Sequence, residues 1–308
     1  MKPSVFLPEI IAPCGIDLLK TQCRITTGPL EDADAVVVRL YEIDADRLAS
    51  CDRLKVIAKH GVGVDNVDVA AATARRIPVV FTPGANANSV AEHTMTLMLA
   101  LARQVFASGE ALRAGRFQDR DQFQGVELAG RTLGVVGLGR IGRRVATMSR
   151  DGFAMEVLAY DPLVEDHGFA VAESLEDLLT AADFLSLHLP LSTRTRHLMN
   201  ADRLSLLKPT CRIINTSRGA LIDEEALVRA LREGRIAGAA LDVFATEPLP
   251  VDHPLCAAPN TLLTPHISTL TAESLDRMAR DAAQGVLDVL AGKQPRWTVN
   301  PEVWERKV

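Results

Sequence analysis

Short apolar runs bounded by turn residues alternate with segments of helical periodicity along nearly the whole chain. The apolar runs at 35–38, 54–58, 78–81, 132–136, 157–160, 184–187, 212–214, 237–241 and 261–264 predict strands. Helical patterns lie among them at 89–103, 174–179, 223–232 and 272–290. Strands alternating with helices predict βαβ units and parallel sheets. The 89–103 segment is long and largely apolar, so it is expected to be buried between two layers or domains. The 223–232 segment opens on Asp223-Glu224-Glu225, acids suited to the positive end of a helix. Residues 115–130 are polar and glycine-punctuated, with Arg116, Asp119, Arg120 and Asp121, and predict a surface arm.

At 308 residues the chain has room for two domains. The pattern predicts an α/β protein of two Rossmann-like domains, each a doubly wound parallel sheet. The last helix is long enough to return to the first domain. The first is therefore expected to be discontinuous and flavodoxin-like, spanning 1–99 and 286–308, with a dinucleotide-binding domain at 100–285 inserted into it.

The most specific local signal is an apolar strand running into Gly137-Leu-Gly139-Arg140-Ile141-Gly142 and then a helix. Gly137 permits a tight turn, Gly139 lets a pyrophosphate approach the backbone, and Gly142 lets the helix pack on the strand. The helix N-terminus offers free N–H groups to the phosphates. The following strand ends at Asp161, about 20 residues on, where an acid accepts hydrogen bonds from a ribose 2′-hydroxyl. A carboxylate there repels a 2′-phosphate, and the next residues, Pro162 to Asp166, include no base. The expected cofactor is NAD.

The formal net charge of −5, with no clustered Lys/Arg stripe, argues against a nucleic-acid surface. No apolar run has transmembrane length, and residues 1–8 lack a signal-peptide core, so no membrane association is expected. The five cysteines are scattered and have neither zinc-ligand nor Cys-x-x-Cys spacing, as in a reducing cytoplasm. No metal site is expected.

Three loops after late strands carry reactive side chains, at the sheet edge where open α/β sheets bind ligands. Asn215-Thr216-Ser217-Arg218-Gly219 offers a guanidinium whose planar fork suits a carboxylate. Asp242-Val-Phe-Ala-Thr-Glu247-Pro248 offers two acids, and Thr264-Pro265-His266 a histidine. Histidine is the side chain suited to proton exchange near neutral pH, and a neighbouring carboxylate favours its protonated form.

Together, Gly-Leu-Gly-Arg-Ile-Gly, Asn-Thr-Ser-Arg-Gly, Leu-Asp-Val-Phe-x-x-Glu-Pro and Thr-Pro-His resemble the D-isomer-specific 2-hydroxyacid dehydrogenases. Gly61-Val-Gly-Val-Asp-Asn66 and Thr82-Pro-Gly-Ala-Asn86 are similar to its phosphoglycerate and hydroxypyruvate branch. The resemblance implies hydride transfer between NAD(H) and a small 2-hydroxy or 2-keto acid. It implies that Arg218 holds the substrate carboxylate, His266 is the acid/base and Glu247 is its partner. Arg140 and Ile141 would meet the pyrophosphate, Thr216 and Ser217 would line the cofactor, and Asp242 would meet the nicotinamide carboxamide. The loop with Lys59, His60, Gly61 and Val62 would grip the substrate, with Asn86 nearby. Lys59 is the candidate cation for a second anionic group, as in 3-phosphoglycerate, malate or sulfolactate. His60 is the alternative acid/base, and the other histidines read as structural.

Ser268-Thr269 stand where the family commonly has small residues. The chain end leaves no expectation of a C-terminal regulatory domain. A homodimer joined through the nucleotide domain and the 115–130 arm is expected. A corepressor-like protein that senses NAD(H) without catalysis is the alternative from another class, and the intact Arg218/Glu247/His266 set argues against it.

Overall fold

A computed structural model of the protein describes residues 2–164 and 168–304. The first part of the chain forms β1 (Ser4–Phe6), α1 (Pro13–Lys20), β2 (Arg24–Thr26), β3 (Ala35–Val38), α2 (Ala45–Ala49), β4 (Val56–Lys59), α3 (Val69–Ala74) and β5 (Val79–Val80). Then come α4 (Ala87–Ala102), α5 (Val105–Arg113), β6 (Thr132–Val136), α6 (Arg140–Phe153), β7 (Glu156–Tyr160), β8 (Ala170–Val171), α7 (Leu175–Ala181) and β9 (Phe184–Leu187). The remainder is α8 (Ala201–Ser205), β10 (Arg212–Asn215), α9 (Glu224–Arg232), β11 (Gly238–Leu241), β12 (Thr261–Leu263) and α10 (Ala272–Leu290).

The chain divides into two compact units, one of Met1–Ala87 with Thr269–Val308, the other of Asn88–Ser268. In the first, five parallel strands run in the order β2-β1-β3-β4-β5, the flavodoxin-like arrangement. Strands β3 and β4 are buried at every position, because helices cover both faces of the sheet. One face packs Val5, Leu19, Val37 and Ala58 with Ala279, Ala283 and Val286 of α10. The other packs Phe6, Val36 and Ile57 with Ile43, Leu48 and Ala72.

In the second unit seven parallel strands run β12-β11-β10-β9-β6-β7-β8. The order reverses between β6 and β9, the switch point of a doubly wound sheet. Leu133, Val135, Ile214 and Ala240 pack on α4 and α6, and Leu185, Ile213 and Ala239 on α7 to α9. Helix α9 starts as its sequence indicates, with the Asp223 side chain accepting from Ala226 N and acids filling the first turn.

The expected domain boundaries at 99/100 and 285/286 are corrected to 87/88 and 268/269. Helix α4 goes almost wholly with the nucleotide unit, because Ala91, Met95 and Met98 pack with Leu133 and Val145. All of α10 goes with the first unit, because its apolar face covers that sheet. Strands β1 and β2 and helices α1 and α5 were not expected. Each of those strands has three residues, and Pro3 and Pro8 bracket β1. The 115–130 arm contains a 3-10 turn at Phe117–Gln122. Among the described residues no helix is long and apolar enough to cross a membrane, and no cluster of His, Cys, Asp and Glu could hold a metal ion.

Candidate active site

The glycine loop joins β6 to α6 in the second unit. Gly137 sits at φ +95°, and its N–H donates to Tyr160 O at 3.0 Å. A Cβ on Gly142 would lie 2.0 Å from Gly137 O, so α6 can start against the turn only with glycine there. Gly139 is the N-cap of α6 and supplies no side-chain cap, and a Cβ built on it would meet no atom within 4 Å. The first N–H groups of a long helix thus face a place where a pyrophosphate fits, with Arg140 and Ile141 opening that helix. Asp161 follows β7, and its carboxylate accepts from Leu138 N at 2.8 Å and Leu163 N at 3.0 Å. These bonds tie it to the glycine turn. Glu165, Asp166 and His167 lie outside the described residues.

Strand β10 delivers the arginine loop. Asn215 is fully buried and clamps the turn: Oδ1 accepts from Ser217 N at 3.0 Å and Nδ2 donates to Arg218 O at 2.9 Å. Ser217 Oγ donates to Leu187 O, and Thr216 Oγ1 lies 2.8 Å from Thr94 Oγ1. Gly219 then lets two loops touch backbone to backbone, since a Cβ there would fall 1.9 Å from Phe244 C.

The touching loop carries Glu247. Its Oε1 accepts from Phe244 N at 2.9 Å, and its Oε2 lies 2.7 Å from His266 Nδ1. Glu224 Oε1 supports the same loop by accepting from Ala245 N at 2.7 Å. Burial works against the charge on Glu247. Hydrogen bonds from His266 and Phe244 N, with the Arg218 guanidinium near, still hold its carboxyl below the usual range. An ionised carboxylate only accepts, so Nδ1 carries the hydrogen and Nε2 is the ring atom left for chemistry.

His266 follows β12 at φ +52°, a backbone that costs a residue with a side chain about 1–2 kcal/mol. Asp242, fully buried, holds it there. Its backbone O accepts from His266 N at 2.9 Å, and its carboxylate accepts from Ile267 N and Ser268 N, both at 2.9 Å. Burial again opposes ionisation, and donation from His93, Thr264 and the two amides overrides it, pulling the Asp242 carboxyl down to about 2.

The first unit gathers the other sequence candidates. Lys59 ends β4, is buried, and donates through Nζ to Arg39 O and Asn66 Oδ1. Its ammonium is engaged within its own unit. His60 is buried with Nε2 unpartnered, and burial first, then the charge of Arg39, pushes it down to about 4. It is neutral near pH 7 and poorly suited to donate a proton. Gly61, at φ +150°, accepts through its carbonyl from Thr82 N at 2.9 Å, which ties the 61–62 loop to the turn before Asn86. Asn86 is buried and its Oδ1 has no partner.

Within the second unit the structure brings Arg218, Glu247, His266, Asp242 and Thr216 together around adjoining strand ends. Asn215, Thr264, Glu224 and His93 serve the same loops and were not singled out from sequence. For His93 a signal existed: Ser89, His93 and Thr94 are polar positions four and five apart on a helix whose second half is almost wholly apolar.

The family model for the D-isomer specific 2-hydroxyacid dehydrogenase NAD binding domain matches residues 95–268. The chain is 39% identical to a glyoxylate reductase of Thermofilum pendens over 98% of this chain and 96% of that protein. It is 42% identical to a D-3-phosphoglycerate dehydrogenase of Methanocaldococcus jannaschii, covering 91% of this chain and 54% of that one. Among solved structures, the NADPH-dependent glyoxylate/hydroxypyruvate reductase of Sinorhizobium meliloti, in complex with NADP and malonate, aligns over all of both chains with a TM-score of 0.89 at 29% identity. A Thermus thermophilus protein gives 0.89 at 37% identity over 96% of this chain and 99% of that one.

Proposed function

The chain belongs to the D-isomer-specific 2-hydroxyacid dehydrogenases, and we propose that it reduces a small keto acid such as glyoxylate or hydroxypyruvate with NADH. It is an oxidoreductase that moves a hydride between a nicotinamide dinucleotide and a 2-hydroxy or 2-keto acid. The observation that carries the reading is the His266 Nδ1 to Glu247 Oε2 contact of 2.7 Å beside Arg218.

The nicotinamide, when bound, gives or takes the hydride at substrate C2. The glycine turn 137–142, Asp161, Thr216, Ser217 and Asp242 are the residues that would hold the dinucleotide. Arg218 pairs with the substrate carboxylate and polarises the 2-oxygen. His266 Nε2 donates the proton that the reduced oxygen needs and recovers it from solvent, while the Glu247 carboxylate steadies the imidazolium form. The backbone N–H groups of Gly61 and Val62, with Asn86, are assigned to the substrate. Lys59's engagement with Arg39 O and Asn66 favours a substrate with one carboxylate over one with a second anionic group. Asp161 favours NAD over NADP. The five unpaired cysteines favour the cytoplasm. Exposed apolar residues on α5 and the following turn favour a homodimer.

A panel of 2-keto acids assayed with NADH and NADPH tests the reading. Glyoxylate and hydroxypyruvate should give the highest kcat/KM, with NADH preferred. His266→Ala should lower turnover by ~10²–10⁴ while NADH still binds. No turnover on any keto acid, with NADH binding intact, would favour the sensing alternative.

A further inference from the structure

Helix α4 reaches the catalytic loops through three polar side chains. Ser89 Oγ donates to Ser268 O at 2.6 Å, His93 Nε2 lies 3.1 Å from Thr264 Oγ1, and Thr94 Oγ1 lies 2.8 Å from Thr216 Oγ1. The hydrogens of the middle contact can be assigned. Asp242 is ionised and accepts only. Thr264 Oγ1 lies 2.6 Å from Asp242 Oδ1, so its single hydrogen goes to that carboxylate. The contact from His93 must then be donated by the imidazole, and Nε2 carries a hydrogen. His93 Nε2 also lies 3.4 Å from the same Oδ1, so everything it faces there is an acceptor. The donors run one way, from His93 to Thr264 to Asp242.

The chain ends at the reacting histidine. The two oxygens of Asp242 take the amides of Ile267 and Ser268, the two residues that follow His266 in its left-handed backbone. A rotation of the carboxylate would release one amide or both, and the imidazole would lose its aim.

We propose that His93 is a positioning residue for the reaction: through Thr264 it fixes the Asp242 carboxylate, and through that carboxylate the 266–268 turn that presents His266. The inference rests on His266 being the acid/base. Because the aim of Nε2 matters at the moment of proton transfer, its loss shows in kcat more than in binding.

The test uses His93→Leu, Thr264→Val, their double variant and His93→Gln, assayed with NADH and the best keto acid of the panel. His93→Leu and Thr264→Val should each lower kcat by about tenfold or more, the scale of a small misplacement of a reacting group. The KM for the keto acid should stay within about threefold, and saturating NADH keeps any change in the Asp242 contact to the dinucleotide out of kcat. His93→Gln still offers an N–H to Thr264 and should recover most of the rate. The double variant should be no slower than the worse single, because both act in one chain of contacts. Thr264→Val is close to isosteric and decides the matter if His93→Leu does not fold. Normal kcat in Thr264→Val, a His93→Gln as slow as His93→Leu, or losses that multiply in the double variant would each overturn the proposal. His266→Ala separates the two levels. If it retains turnover, the acid/base reading fails; if it is inactive while the His93 and Thr264 variants run normally, only the positioning role fails.

Discussion

At His266 an unfavourable backbone and a favourable contact coincide, and Asp242 is what reconciles them. A buried carboxylate could hold two amides and two side-chain donors only while ionised, which makes the turn sensitive to acid. The folded pKa of Asp242, about 2, lies below its ordinary value of 3.8. With a depressed folded value, its stabilisation is fully present above the unfolded pKa and is lost as pH falls from about 4 toward 2. The depression corresponds to roughly 2 kcal/mol, of which about half is gone by pH 3. Urea unfolding of the wild type and Asp242→Asn at pH 6 and pH 3 checks this. The variant should be weaker at pH 6, and its further fall to pH 3 should be smaller by about 1 kcal/mol. Equal falls in the two proteins would refute it. Arg218, Glu247, His266 and Asp242 were readable in the sequence because each sits in a short motif directly after an apolar run. Asn215 and Thr264 stood in the same motifs, but their work is to satisfy neighbouring backbone and carboxylate groups, and only coordinates show which groups those are.

Between elements, the decisive contact is the one where the loop after β10 meets the loop after β11. Gly219 is required there by space, since the nearest atoms to an added Cβ are Phe244 C at 1.9 Å and Ala245 N at 2.3 Å, backbone that cannot rotate away. Gly219→Ala should push Arg218 and Glu247 apart. Overpacking of this kind costs about 1–3 kcal/mol, so Tm should fall by several degrees. The kcat/KM for the keto acid should drop at least about tenfold, with NADH affinity much less affected. Calorimetry and steady-state kinetics on the variant check both, and wild-type kcat/KM would show that the close approach does not position the arginine. The longer strands were legible from apolar runs because a parallel sheet covered on both faces needs them. Strands β1 and β2 were not, because three residues between prolines and turns carry no period. The boundaries shifted for a different reason. Periodicity shows that α4 and α10 bury a face but not which sheet receives it, and the packing of Met95 and Met98 in one case, Ala279 and Ala283 in the other, settles that.

The nucleotide unit displays an apolar surface that its own fold does not cover. Along α5 and the turn at Phe117–Gln122, Val105, Phe106, Leu112 and Phe117 are 53%, 57%, 60% and 64% exposed. Single exposed apolar residues are ordinary, but four within one short stretch of chain would suit a contact surface. The net charge of −5 is too small to keep such surfaces apart by repulsion at physiological salt. The occupant expected is a second copy of the chain, in a two-fold arrangement that places the same patch on both partners. Light scattering should then give twice 33.3 kDa for the wild type at micromolar concentration. Phe106→Glu with Phe117→Glu places two carboxylates in each copy of the patch, and it should shift the mass toward 33.3 kDa while the separated subunit still unfolds in a cooperative thermal transition. A wild type that scatters as a monomer would refute the dimer, and a doubly charged variant that stays at the dimer mass would move the contact away from this surface.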